Sequence, residues 1–160
     1  MDRARLPRGD AMLIVTEDLL DALWAHCEAE LPREACGVLI GQFEGEASVV
    51  KCVLTGRNLA GMNEARFELH PDDFLAADSL ARRTGLEIVG IYHSHPDAPA
   101  SPSRLDRQNA QPGWSHVILA LAGRTRVGLR SFRLDTATLE LHEESVECPL
   151  PDDAGTPPVA

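Results

Sequence analysis

Between Leu86 and Asp106 the chain carries an apolar, β-branched run, Glu87-Ile88-Val89-Gly90-Ile91-Tyr92, that leads into His93-Ser94-His95. Pro96, Pro99 and Pro102 follow, and then Ser103-Arg104-Leu105-Asp106. Leu86 to His95 reads as a strand, and Ser103 to Asn109 as the opening turns of a helix. Side chains alternate along a strand, so His93 and His95 share a face. Residues three apart on a helix also share a face, so Ser103 and Asp106 point together. The Pro-rich loop between them can turn the chain back on itself. Two imidazoles from a strand end and a carboxylate from a helix start can then meet at one point. Nitrogen and oxygen donors of this kind suit a zinc ion with a fourth position open to water.

Each piece also has a plain reading. A His near a strand end commonly just forms surface hydrogen bonds. Ser-x-x-Asp is also a helix cap followed by an acidic first turn. Here Ser101-Pro102 offers a cap and a Pro at the first helical position, which leaves the Ser103 hydroxyl free for other work. Upstream, Glu34 stands at the entrance of an apolar strand, Ala35 to Gln42, where a lone charge is ordinarily solvated.

The combination is more specific than its parts. His93-x-His95, seven residues, Ser103, two residues, Asp106, with Glu34 in Arg33-Glu34-Ala35-Cys36-Gly37-Val38-Leu39-Ile40-Gly41, resembles the JAMM (MPN+) zinc metalloproteases. The likeness is to the small bacterial and archaeal members, which act on ubiquitin-like and sulfur-carrier proteins, and runs from about Leu13 to Glu144. It implies one Zn²⁺ on His93, His95 and Asp106, with Glu34 as general base and Ser103 as oxyanion donor. It also implies cleavage of a peptide or isopeptide bond after a partner's C-terminal Gly-Gly, in carrier maturation, release of a cysteine adduct, or deconjugation. The alternative is a non-catalytic MPN-type module that binds a ubiquitin-like partner. Asn58 and Met62 are then expected to border the substrate groove.

Composition narrows the classes. At 160 residues the chain suits one domain able to bury roughly 70% of its unfolded surface. A net charge of −10 argues against nucleic acid and anionic membranes as partners. Val117 to Ala122 is the longest apolar run, far below the roughly 20 residues of a membrane helix. With no signal-peptide pattern, a cytoplasmic protein is expected. Cys27, Cys36, Cys52 and Cys148 form no Cys-x-x-Cys pair, so free thiols are expected. A nucleobase deaminase needs His-x-Glu followed by Pro-Cys-x-x-Cys; here the residue two after His93 is another His, and no Pro-Cys-x-x-Cys occurs. There is no His-Glu-x-x-His. His116 and His142 have no partners at ligand spacing, and the oligomeric state is not readable.

Elsewhere the pattern predicts a helix capped by Thr16 and ended by Pro32, burying Leu19, Leu20, Leu23, Trp24 and Cys27. A hairpin joins Ala35–Gln42 to Ala47–Leu54. Thr55 to Ala65 reads as a long loop and Arg66 to Leu69 as a short strand. A second helix runs from Pro71 to Gly85 with Phe74, Ala77 and Ala81 buried and His70 as its cap. Strands follow at Ser115–Ala122, Arg126–Leu134 and Thr138–Glu144, and Trp114 is either a core anchor or a rim residue. Residues 1–10 read as loose and 148–160 as a disordered tail. The fold class is mixed α/β: a domain over residues 11–147, with one curved sheet flanked by helices. The resemblance implies a cytidine-deaminase-like arrangement.

Overall fold

Alternating apolar runs become strands and the amphipathic segments become helices, in an order that closes the sheet on itself. The computed structural model describes residues 11–62 and 65–150; the expectations for residues 1–10 and the end of the tail fall outside them. In chain order the elements are β1 (Met12–Ile14), α1 (Glu17–Glu30), β2 (Cys36–Glu44), β3 (Ala47–Gly56), α2 (Pro71–Thr84), β4 (Glu87–Pro96), α3 (Arg104–Asn109), β5 (Ser115–Ala122), β6 (Thr125–Asp135) and β7 (Glu140–Glu147). The strands pair in the order β1-β3-β2-β4-β5-β6-β7, and β1 also pairs with β7, in parallel, to complete a barrel. The sheet is therefore closed, a step beyond the curved sheet read from the sequence. The closure rests on three residues, Met12 to Ile14, which lie between β3 and β7.

The helices sit where their apolar faces dictate. Leu23 and Cys27 of α1 are fully buried, in a core with Leu39, Val50, Tyr92, Val117, Leu119 and Leu121. Ala77 and Ala81 of α2 pack on Val38 and Ile40, the neighbours of Leu39 along β2. β2 is thus buried on both faces, and β5 likewise, with Ile118 and Ala120 in a third cluster beside Phe132. Burial on both faces explains their continuous apolar runs; each fully buried Leu or Ile contributes about 1.5–3 kcal/mol. Gly85 ends α2 at φ 69°, a left-handed position that favours glycine, and His70 caps its start by accepting from the Asp72 N–H.

Several boundaries differ from expectation. Arg66 to Leu69 is not a strand: a single bridge, Asn58 to Leu69, ties it to the loop after β3. β7 runs Glu140–Glu147, because Asp135 to Leu139 form the turn that leads into it. Trp114 is half-buried, tilted against Phe74. No helix among the described residues is long and apolar enough to cross a membrane.

β4 carries one residue more than β2 at their pairing: Leu39 faces Gly90 and Ile40 faces Ile88, so Val89 is bulged. Across the sheet Gly90 faces Ser115, and a Cβ added there would lie 2.2 Å from the Ser115 carbonyl oxygen. Gly90→Ala is expected to cost about 1–3 kcal/mol by forcing β4 from β5. Gly128→Ala, with nothing within 4 Å of the new methyl, should be neutral or slightly stabilising. Denaturant unfolding of both checks this, and equal stability of the two would reject the close-approach account.

Candidate functional site

The five sequence-selected residues come from three segments: Glu34 just before β2, His93 and His95 at the end of β4, and Ser103 and Asp106 at the start of α3. The antiparallel register sets Cys36 opposite His93. Past that pair, Ser94 N–H donates to the Ala35 carbonyl at 3.0 Å and Ala35 N–H donates to the Ser94 hydroxyl at 2.8 Å. This exchange holds Glu34 beside His95, with Oε1 3.9 Å from Nε2.

After Pro96 the chain turns at Asp97, whose φ of 54° is one an Asp tolerates. Its N–H donates to Leu121 O at 2.7 Å, and its carboxylate accepts from Gly123 N–H at 2.8 Å. The loop then delivers α3. Here the expected cap is corrected. Ser103 itself is the N-cap and Arg104 the first helical residue, so Pro102 lies outside the helix. Ser103 Oγ accepts from Asp106 N–H at 3.1 Å, and Asp106 Oδ2 accepts from Ser103 N–H at 2.7 Å, a reciprocal capping box. The Ser103 oxygen is therefore not idle, but its own O–H remains available to donate.

The structure brings the two imidazoles and the carboxylate together. His93 Nε2 and His95 Nε2 are 3.0 Å apart, and Asp106 Oδ2 lies 3.2 Å from the first and 3.3 Å from the second. His95 Nδ1 is 2.7 Å from the Pro99 carbonyl, which can only accept. That nitrogen must carry a proton, so in the neutral imidazole Nε2 offers a lone pair to the cluster. Acceptor atoms so close repel one another unless something positive sits among them. Donors about 2 Å from one tetrahedral ion stand about 3.3 Å apart, close to the edges of this triangle. Glu34, His93 and His95 also offer ligand atoms within 4.8 Å of one another. The cluster can hold one metal ion, with Glu34 as a fourth donor or as its neighbour.

The electrostatics separate the two acids. Burial would push Asp106 up, but its bonds to His93 and His95 hold it well below the usual carboxylate range. Burial lowers His93. Burial also opposes charge on His95, yet Asp106 and the Pro99 carbonyl leave it raised overall. Glu34 is pushed up to about 7, first by burial and then by Asp106, with His95 opposing. Its Oε2 is buried without a hydrogen-bond partner among the described residues. A carboxyl poised near neutrality, with one oxygen unsatisfied, is suited to taking and returning a proton.

Glu34, His95 and Ser103 line a groove of about 350 Å³ with Pro32, Met62 and Ala65. On the other side, His93 and Asp106 border a small apolar crevice, about 30 Å³, with Phe67, Leu105 and Ile118. Met62 borders the groove as expected. Asn58 is instead buried behind it, bonded to the Glu34 carbonyl. Sequence reasoning also passed over Phe67, stacked on His93 at 4.5 Å, and Ser94. The period-two pattern alone puts Ser94 opposite the histidines, toward the core, and was a usable signal. His116 accepts from Gln111 N–H at 3.0 Å, and His142 lies near Asp135 and Glu140; neither joins the cluster.

Residues 16–135 match the family described as prokaryotic homologs of the JAB domain. The chain is a prokaryotic JAB-domain protein. It is 31% identical to a desampylase of Haloferax volcanii, over 70% of this chain and 83% of that one. It is 30% identical to a CysO-cysteine peptidase of Mycobacterium tuberculosis, over 77% and 83%. Against the tail tip assembly protein K of Escherichia phage N15 the identity is 40%, over 55% of this chain and only 32% of that longer protein. A solution structure from Desulfitobacterium hafniense superposes with a TM-score of 0.74 at 29% identity, covering 86% of this JAB-domain chain and 92% of that one.

The raised Glu34 has a stability consequence. Between the unfolded value, 4.5, and about 7, the folded chain holds a proton that the unfolded chain has lost. Stability therefore falls as pH rises through that window, because ionising the buried carboxyl is opposed. Glu34→Gln, which keeps the shape without the charge, should raise the melting temperature of chelator-treated protein at pH 8. The two proteins should converge toward pH 4.5. Thermal melts at both pH values check this; a gap independent of pH would remove Glu34 burial as the cause.

Proposed function

We propose that this chain is a zinc metallopeptidase that hydrolyses a peptide or isopeptide bond after the C-terminal Gly-Gly of a ubiquitin-like or sulfur-carrier protein. The observation that carries the reading is the triangle of His93 Nε2, His95 Nε2 and Asp106 Oδ2, with edges of 3.0–3.3 Å, and the raised carboxyl of Glu34 beside it. The donor set, two imidazoles and one carboxylate, is one that zinc takes while keeping a position open. Zinc held there supplies Lewis acidity and lowers the pKa of water from about 15.7 to about 7.

The protein's groups do the rest. Glu34 accepts the proton of the attacking water and passes it to the departing nitrogen. The Ser103 O–H, left over from the cap, donates to the substrate carbonyl oxygen as it gains charge. Pro99 fixes the tautomer of His95, and Phe67 fixes the plane of His93.

The groove favours an extended, narrow tail. Next to the site, Cys36 and His93 each have strand partners on both sides, so a tail does not add to the barrel there. The nearest strand-like backbone is the ribbon of residues 57–60 and 66–69, where Leu59 N–H donates to Glu68 O at 2.8 Å and His70 N–H to Arg57 O at 2.9 Å. A tail lying along that ribbon gains main-chain hydrogen bonds, and glycines let it pass close to Glu34 and His95. The names of the relatives, a desampylase and a CysO-cysteine peptidase, favour deconjugation or adduct release from such a carrier.

Metal analysis beside cleavage assays tests the proposal. Wild type and Glu34→Gln should each hold one zinc, and only wild type should cleave a Gly-Gly-extended carrier, with the variant slower by about 10²–10⁴. Zinc in neither, or equal inactivity of the two with every carrier, would move the chain to the binding-module class. Ser103→Ala should keep zinc and lose about 10²–10³ in rate. It should also lose about 1 kcal/mol of stability with the cap. A fully active Ser103→Ala removes Ser103 from the chemistry.

A further inference from the structure

Resting on that function, we propose that Asn58 is a positioning residue that joins the Glu34 segment and the groove-lining ribbon into one unit. The residue is 8% exposed, and its side chain uses all of its hydrogen-bonding capacity. Nδ2 donates to the Glu34 carbonyl at 3.0 Å and to the Arg66 carbonyl at 3.2 Å. Oδ1 accepts from the Ala60 N–H and the Glu68 N–H, both at 2.9 Å. One amide therefore ties the backbone of the base to both arms of the ribbon. The residue before the base completes the link: Arg33 donates its guanidinium to the Ala60 carbonyl at 2.9 Å and to the Asn58 carbonyl.

The chemistry of these four bonds admits few substitutes. Two carbonyls need donors and two N–H groups need acceptors, which a primary amide supplies and a carboxylate of the same shape does not. Ser94 holds the next residue, Ala35, from the opposite side. Glu34 is thus clamped between the histidine strand and the ribbon, and displacing either shifts its carboxyl relative to His95. Met62 and Ala65, beyond the amide on the same ribbon, line the groove with Glu34. The base and the groove wall move together or not at all, so substrate seating and proton transfer share one anchor. Asn58 makes none of the hydrogen bonds of His93, His95 or Asp106, so the three proposed ligands keep their own partners when it is changed.

The test compares Asn58→Asp with wild type and with Ser131→Ala, a control that removes the buried hydroxyl bonded to Glu144 at 2.7 Å, outside the site. Zinc content, hydrogen exchange, kcat and KM are read on each full chain. Asn58→Asp should keep one zinc. Amide exchange should rise about tenfold or more in residues 33–36 as well as in 57–62 and 65–69. On a cleavable carrier kcat should fall about 10–100-fold and KM rise several-fold. Ser131→Ala should change stability without moving kcat or KM. Faster exchange confined to the ribbon, kinetic constants within twofold of wild type, or losses matched by Ser131→Ala would each overturn the proposal. If Asn58→Asp does not fold, Asn58→Ser takes its place in the same comparison. If wild type cleaves no carrier, the functional reading fails while the exchange data still decide whether Asn58 couples the two segments.

Discussion

The site depends on the two hydrogen bonds that Ala35 and Ser94 exchange beyond the last register pair of β2 and β4. They continue the ladder with a side chain standing in for one backbone group, and they fix the spacing of Glu34 from His95. Everything else is arranged around that spacing. The third donor, Asp106, reaches the imidazoles because the crossover from β4 to β5 is parallel and must travel back over the sheet. The cap of α3 then aims the Asp106 carboxylate, so a local folding rule and a candidate ligand position are met by one oxygen.

Much of this was legible in the sequence because the relevant periods are short. Strand alternation placed His93 and His95 together, and helical spacing joined Ser103 to Asp106. Helix boundaries followed from Thr16, Pro71 and Gly85, whose chemistry is local. The apolar runs of β2 and β5 announced strands, although not that both faces would be covered.

What escaped the reading depends on partners distant in sequence. The bulge at Val89 lies in an unbroken β-branched run and arises only against Leu39 and Ile40. Closure of the sheet rests on three residues of β1, too few to signal that they bridge β3 and β7. Ser103 was assigned away from the cap because Ser101-Pro102 fits the same rule; the winner was set by where the crossover loop lands. Asn58 sits in a stretch whose composition says only loop. Its four partners lie on Glu34, Ala60, Arg66 and Glu68, and no periodicity links them.

The closed barrel separates two kinds of evolutionary freedom. Around the histidines its strands are paired on both sides, so recognition falls to the segments beside them, residues 57–62, 65–70 and 97–103. Substitutions at Leu59, Met62 or Leu105, all exposed, can alter which surface is welcomed without reaching the buried layers that hold the histidines. A scaffold of this kind can change clients while its chemistry stays fixed, and its diversification is expected to be written in loop residues.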